Sequence, residues 1–365
     1  MKDRIFVIDG SSYLYRAYHA MPPLSTSSGQ PTGAVKGVTN MLMNLKKDSE
    51  GSSIIVVFDA KGKTFRSDIY SEYKANRPPM PDELRDQLVP VKSICRAIGF
   101  PLIEIEGVEA DDVIATIANM AKDANYKCVI SSLDKDLMQL VEDPHTTMMD
   151  TMKHKIFNEE GVFEKFGVKP NQIRDMLALV GDTSDNIPGV PKVGQKTAAK
   201  WLSEYGDLKT IKQNAESIKG VVGDNLRNSL DDLDRNIELV SLKNDVDIGL
   251  KFQDLLVFNP DEEGLDNLFA DLEFKAADKN KEKEAPKKDS NYETVLDDKS
   301  LKSWVNKINK SKAFAIDTET DSVNTVSANL IGISLSVSEN EGCYIPIAHS
   351  YDGCPKQLSL AYVCL

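Results

Sequence analysis

Nine carboxylates recur between positions 9 and 185 of the chain, and their spacing suggests metal chemistry. Asp9 follows the apolar run Ile5–Ile8, and Asp59 follows Ile54–Phe58. Glu109, Asp111 and Asp112 stand at the start of a helical pattern, with Asp134 and Asp136 just beyond the run Cys128–Ser131. Asp182 and Asp185 share the loop Gly181-Asp182-Thr183-Ser184-Asp185-Asn186. Glu109 and Asp112 are i,i+3, one helical turn apart, and Asp182 and Asp185 repeat that spacing. If these groups converge they cannot all stay ionised, because like charges ~4 Å apart repel by several kcal/mol at intermediate dielectric. Hard divalent cations resolve the conflict. Mg²⁺ prefers oxygen donors and suits a cluster that holds no His or Cys. Two such ions ~4 Å apart can clamp the attacking and leaving oxygens of a phosphodiester, so hydrolysis by phosphoryl transfer is the chemistry expected. Any one Asp at a strand end also makes a good helix N-cap or turn residue, and only the combination argues for a site.

Unbroken apolar strands separated by amphipathic stretches must position these groups. Strands are expected near Ile5–Ile8, Ile54–Phe58, Pro101–Ile105 and Cys128–Ser131, with helices over Asp82–Ile98 and Asp111–Ala124. That alternation predicts an α/β fold, a parallel sheet flanked by helices, with its ligand site beyond the carboxyl ends of the strands. From Lys169 to about Phe274 the pattern is helical, broken by Pro188-Gly189-Val190-Pro191-Lys192-Val193-Gly194. Residues 275–291 are charged and poor in apolar side chains, the composition of a flexible linker. Residues 292–365 form a further segment, with a helix over Ser300–Ile308 and strands at Ala313–Ile316 and Leu330–Val337. The division expected is an α/β domain carrying the carboxylates (1–168), a helical subdomain (169–274), the linker (275–291), and a partial α/β segment (292–365).

The 365 residues are 41% apolar and 28% charged, which excludes global disorder. No apolar run reaches the ~20 residues of a membrane helix, and no signal peptide is evident, so a cytoplasmic location is expected. Five scattered cysteines with no C-x-x-C pair exclude a disulfide framework and a zinc site. The net charge of -13, from 57 acids and 44 bases, argues against nucleic acid unless the acids gather in a metal site or a polar tail.

The chain resembles a known family along Phe6-Val7-Ile8-Asp9-Gly10-Ser11-Ser12-Tyr13, Val57-Phe58-Asp59-Ala60, Gly107-Val108-Glu109-Ala110-Asp111-Asp112 and Gly181–Val190. These motifs are similar to the 5′–3′ exonuclease domain of bacterial DNA polymerase I, over roughly residues 1–275. The resemblance implies a PIN-like, flap-endonuclease type of fold with a helix–hairpin–helix. It also implies two metal positions and a monomer acting on DNA with 5′ flaps, nicks or 5′ ends. All nine carboxylates match acidic positions of that family. Mg²⁺ is the expected ion, with Mn²⁺ as a substitute. Asp111, Asp112 and Asp134 are assigned to the tightly held position, supported by Glu109 and Asp136, and Asp182 and Asp185 to the second. Leu133 departs from the family's usual Gly before Asp-Lys-Asp.

The basic, proline-rich stretch Tyr70–Pro81 taken alone reads as a solvated loop. By the resemblance it becomes the arch that admits a 5′ strand. Lys74 and Arg77 would then contact the scissile phosphate, with Arg16 as their companion, and Tyr73 would stack on a base. Gly189–Thr197 nearly mimics a Walker A motif, but Gln195 breaks the spacing and no apolar strand precedes it. A helix–hairpin–helix fits better, with Gly189, Val190, Gly194, Lys196 and Thr197 against a phosphate. The resemblance adds K⁺ at this hairpin and places Lys192 where Gly is commoner.

Phe314–Asp321 and Ala328–Gly332 look like the opening of the proofreading 3′–5′ exonuclease of the same polymerase, an RNase H-like segment. Asp317 and Glu319 would be its metal ligands, expected to be inert because later acidic motifs are missing. The resemblance fades after His349, so a truncated or interrupted polymerase I is expected. Two rivals stand beside the metal-dependent nuclease: a non-catalytic junction binder and a PIN-type nuclease acting on structured RNA.

Overall fold

Residues 5–8 and 54–57 are apolar at every position, so both faces of these strands must be covered, and both lie at the middle of a sheet. The computed structural model describes residues 3–150, 155–274, 291–322, 328–351 and 353–363. They divide into two units, Met1–Ala276 and Ala277–Leu365. The expected linker, 275–291, lies outside the described residues except for Asn291.

In the first unit six strands stand in the order β3-β2-β1-β4-β5-β6. These are β1 (Arg4–Asp9), β2 (Ser53–Val57), β3 (Leu102–Ile103), β4 (Lys127–Ser131), β5 (Thr146–Asp150) and β6 (Lys155–Phe157). The first five are parallel and β6 is antiparallel. The period of two along each strand sorts the core. Ile5, Val7, Ile55 and Val57 join the cluster that includes Val113 and Ile117 of α5 (Ala110–Asp123). Phe6, Ile8, Ile54 and Val56 meet α1 (Gly10–Ala20), α2 (Gly33–Asp48) and α4 (Asp82–Ile98) on the other face. A short α3 (Phe65–Ile69) precedes the turn segment leading to α4. Strand order reverses on either side of β1, so the carboxyl ends of β1, β2 and β4 open on a topological switch point.

The parallel-dominated α/β architecture is the expected one. Two strands, β5 and β6, had no sequence signal. Thr146-Thr147-Met148-Met149-Asp150 mixes polar and flexible residues, and pairing with β4 decides its state. Helical structure also begins earlier than Lys169, with α6 (Glu159–Phe166) capped by the Asn158 side chain.

Beyond it come α7 (Pro170–Val180), the two-residue strands β7 (Gly181–Asp182) and β8 (Ile187–Pro188), and α8 (Gln195–Tyr205). Then follow α9 (Leu208–Gln213), α10 (Val221–Asn228), α11 (Leu230–Val240) and α12 (Glu262–Asp271). α12 packs back on α4 through the core shared by Leu265, Leu268 and Leu272.

The second unit is a four-stranded sheet ordered β10-β11-β12-β9. It contains β9 (Asn291–Thr294), α13 (Asp298–Lys310), β10 (Ala315–Thr320), β11 (Leu330–Ser338), β12 (Glu341–Pro346) and α14 (Leu360–Val363). Its small core gathers Val295, Leu301, Trp304, Cys343 and Ile345. Cys95, Cys128, Cys343 and Cys354 are free thiols. Among the described residues no helix is long and apolar enough to cross a membrane.

Candidate active site

The carboxyl end of β1 delivers Asp9, whose side chain caps α1: Oδ1 accepts from Ser12 N–H at 2.8 Å and Oδ2 from Ser132 Oγ at 2.8 Å. Asp59, beyond β2, accepts the Ala110 N–H at 2.9 Å and so caps α5. Both are therefore capping residues and members of an acidic cluster; the two readings are compatible. Asp134 and Asp136 follow β4, and the Asp136 N–H donates to Asp134 Oδ1 at 2.9 Å.

The electrostatics show that these groups converge. Asp9 is pushed up to about 7, mainly by burial, with Asp59 and Asp134 adding to the shift against the Ser12 and Ser132 hydrogen bonds. Asp111 is raised well above the ordinary carboxylate range by burial and by Asp134, Asp9, Asp59 and Asp136. Asp134 is raised by burial and by Asp185 and Asp182. Asp136 reaches about 8 through burial and then Asp134, Asp182 and Asp185, and its Oδ1 is buried without a hydrogen-bond partner.

A second set of carboxylates is already neutralised by protein cations. Lys74 Nζ lies 2.7 Å from Glu109 Oε1 and 3.7 Å from Asp185 Oδ2. The Arg77 guanidinium pairs with Asp185 Oδ1, and Lys135 Nζ lies 2.9 Å from Asp182 Oδ2. Asp182 is held below its ordinary range because the Ser184 and Lys135 contacts outweigh its burial. The Tyr70–Pro81 segment is stitched to the Asp182–Asp185 loop. Lys74 N–H donates to Asp185 O at 2.9 Å, Asn76 Nδ2 to Thr183 O at 2.7 Å, and Asn186 Nδ2 to Glu72 O at 2.7 Å. These bonds hold Lys74 at φ 57°, a left-handed conformation unusual for lysine.

Several expectations need correction, beginning with Asp112 and Tyr73. Asp112 stands apart from the acidic cluster, fully buried against Arg66. Its Oδ1 accepts from Arg66 Nη2 at 2.9 Å and Lys243 N–H at 2.9 Å; its Oδ2 accepts from Arg66 Nη1 at 2.6 Å and Glu109 N–H at 3.1 Å. Four donors use the four acceptor sites of a carboxylate, leaving none for an ion. Tyr73 is only 7% exposed, and its hydroxyl donates to Glu109 and Asp185 at 3.1 and 2.9 Å. Its ring belongs to the core and cannot stack on a base.

Arg16 sits half-buried on α1, ~2 turns beyond Asp9. At the hairpin, Gly194, Lys196 and Thr197 occupy the open start of α8. Gly189 and Val190 turn inward instead. A Cβ on Gly189 would overlap the Val180 carbonyl, and the Val190 N–H already donates to Leu179 O at 2.8 Å. These two shape the hairpin and do not present a phosphate surface. Lys192 takes φ 65° at the tip, which is why glycine suits that position better. In the second unit Asp317 and Glu319 lie exposed on the edge strand β10.

Sequence reasoning missed Arg66, Lys135, Ser132 and Ser184. Lys135 and Ser184 were visible between paired acids; nothing local marked Arg66.

The donor set suits hard divalent ions: oxygen ligands only, mutually repelling, with one orphaned buried oxygen. Among the described residues no three acidic, His or Cys groups already close on one ligating point, so binding an ion would draw carboxylates inward.

Known proteins share this arrangement of domains. A "5′-3′ exonuclease, N-terminal resolvase-like domain" matches residues 4–167, and a "5′-3′ exonuclease, C-terminal SAM fold" matches 168–263. The 5′-3′ exonuclease of Aquifex aeolicus is 42% identical over 272 residues, covering 74% of this chain and 93% of that protein. The chain belongs to the 5′–3′ exonuclease family. DNA polymerase I of Pseudomonas aeruginosa is 44% identical over 374 residues, and this 5′–3′ exonuclease-family chain spans 41% of its length. A 3′-5′ exonuclease family matches residues 292–358, past His349, where the resemblance was expected to fade. The bacteriophage T5 5′-exonuclease with bound zinc has the same fold, with TM-score 0.58 and 24% identity over 74% of this chain and 98% of that one.

Proposed function

We propose that this member of the 5′–3′ exonuclease family is a divalent-metal-dependent nuclease that trims 5′ ends and 5′ flaps of DNA. The observation that carries the reading is the crowding of Asp9, Asp111, Asp134 and Asp136, carboxylates pushed above their ordinary range by burial and by one another or by Asp182 and Asp185 beside them, around one buried Asp136 oxygen with no hydrogen-bond partner. A pure binder of phosphate gains nothing from such a cluster.

Asp9, Asp59, Asp111, Asp134 and Asp136 are the residues to hold the tight ion, and Asp182, Asp185 and Glu109 the second. Asp112 serves as the partner of Arg66 and Tyr73 as a hydrogen-bonded core residue, so neither holds metal or DNA. Bound divalent ions, Mg²⁺ by donor chemistry with Mn²⁺ as substitute, supply an activated water and charge on the phosphodiester oxygens. Lys74 and Arg77, already beside Glu109 and Asp185, offset the charge that builds on the phosphoryl oxygens. Arg16 is assigned to the same phosphate, carried by the family resemblance. Gly194, Lys196 and Thr197 grip duplex phosphate without reading sequence. K⁺ at the hairpin, a monomeric state and a cytoplasmic location rest on the resemblance and composition.

A relative 93% of whose length aligns with only 74% of this chain, together with the 5′-3′ exonuclease family matches at 4–167 and 168–263, supports an autonomous nuclease over residues 1–274. The test is cleavage of a labelled 5′-flap DNA with and without Mg²⁺, beside a matched RNA flap. Metal-dependent release of the flap from DNA is expected. Absence of cleavage in Mg²⁺ and Mn²⁺ would leave the junction-binder reading.

A further inference from the structure

The carboxylates of the site divide by what neutralises them. Asp9 and Asp111 are shifted only by other carboxylates among the charged groups around them, whereas Asp134 and Asp136 also feel Lys74 and Lys135 respectively. Glu109, Asp182 and Asp185 each hold a protein cation: Lys74, Lys135 and Arg77 respectively. Lys135 differs from the other two. It sits between Asp134 and Asp136 at the start of the short 3-10 turn Asp136–Leu140, where no motif assigns it a role. Its side chain is 40% exposed, whereas that of Asp182 is 6% exposed. The opposite oxygen of Asp182 is taken by Ser184 N–H at 2.8 Å and by the Ser184 hydroxyl. Oδ2 is therefore the oxygen that Asp182 can give up, and Lys135 holds it.

We propose that Lys135 is an internal counterion that competes for the second metal position and sets its affinity. The inference rests on the two-metal reading above. In the ion-free protein the ammonium keeps Asp182 oriented and its charge balanced. A metal approaching Asp182 must displace that ammonium, so part of the metal's binding energy is lost to breaking the pair. Among the described residues no protein cation is paired with Asp9 or Asp111 at the tight position, where carboxylates repel one another. The exposed ammonium swings outward when displaced, toward the space where the DNA phosphate arrives. Lys135 thereby keeps the second position weak until nucleic acid offers the ammonium another anion. It is a positioning residue for Asp182.

The test is Mn²⁺ titration of the full chain followed by electron paramagnetic resonance of free Mn²⁺, with and without a non-cleavable 5′-flap DNA. Lys135→Met removes the charge and keeps the aliphatic stem; Lys135→Arg keeps the charge. In the DNA-free protein, Lys135→Met should tighten the weaker Mn²⁺ about fivefold, the scale of one half-exposed pair acting on a doubly charged ion. The tighter Mn²⁺ and the Lys135→Arg titration should not move. Added DNA should tighten the weaker ion more in the unsubstituted chain than in Lys135→Met. An unchanged or weakened second ion in Lys135→Met, with the thermal unfolding midpoint retained, would overturn the proposal. Should Lys135→Met not fold, Lys135→Gln carries the same expectation. A chain that binds one Mn²⁺ at saturation would instead sink the two-metal reading, which separates the two failures.

Discussion

The guanidinium of Arg66 grips the carboxylate of Asp112 through two parallel hydrogen bonds, at 2.6 and 2.9 Å, with both side chains almost fully buried. Arg66 also donates to the Leu239 and Ser241 carbonyls at 2.7 and 2.8 Å, just where α11 ends. One fork thus ties α3, the first turn of α5 and the end of α11 together. The first turn of α5 carries Asp111, and Glu109 immediately precedes it. The pair fixes the backbone from which two site carboxylates project.

Breaking this fork should cost stability before chemistry. Asp112→Ala removes the two short hydrogen bonds to the buried guanidinium, leaving it two carbonyls and the 3.6 Å contact to Glu109, and should destabilise the first unit by about 3 kcal/mol. Asp111→Ala removes a repelled carboxylate and should keep or raise the unfolding midpoint while abolishing cleavage. Thermal unfolding of both variants beside flap cleavage checks this. An Asp112→Ala protein of unchanged stability but lost metal binding would restore Asp112 to the ligands.

Removing metal should make stability depend on pH in a defined direction. Asp9 and Asp136 titrate near about 7 and about 8 in the folded chain, against about 4 when unfolded. Between those values the folded state binds more protons, so stability falls as pH rises from about 5 to about 8. The unfolding midpoint of chelated protein should drop by about 5 °C or more across that window. Mg²⁺ at pH 8 should restore it by binding the folded state. A flat profile in chelator would show that these carboxylates do not crowd one another.

Lys74→Ala should slow the chemical step more than it weakens flap binding, by about a hundredfold in single-turnover rate. The ammonium lies 2.7 Å from Glu109, so it is already at the acidic cluster before substrate arrives. Equal losses in binding and rate would make Lys74 a simple phosphate anchor.

At the hairpin, Lys196→Ala should reduce the salt dependence of duplex binding by about one unit of slope, irrespective of sequence. Gly189→Ala should act differently. Its Cβ meets the Val180 carbonyl, so the protein should lose stability. Measured salt slopes and unfolding midpoints distinguish the exposed contact from the packed one.

How much was legible follows from what each residue needs. Ile5–Ile8 and Ile54–Val57 are apolar at every position, which in a chain of this size means a parallel strand covered twice. Asp9 and Asp59 at their ends, and the Glu-x-Asp and Asp-x-Asp spacings, were readable because adjacency along the chain forces adjacency in space. The helix Asp82–Ile98 was readable from its amphipathic spacing, and Gly99 at φ 101° ends it. Asp112 could not be read in this way. It and Asp111 are neighbours in sequence, yet they lie about 100° apart around α5, so one reaches the cluster and the other the core. Which of them does so depends on Arg66, 46 residues earlier, and on the turn at Lys243, 131 residues later. Tyr73 looked like a stacking residue because its neighbours are basic. Its burial was decided by Glu109 and Asp185, two acceptors brought from distant parts of the chain. Local spacing sets which residues share a strand end or a helix turn, whereas long-range packing chooses the side chains that meet the site and those that hold its frame.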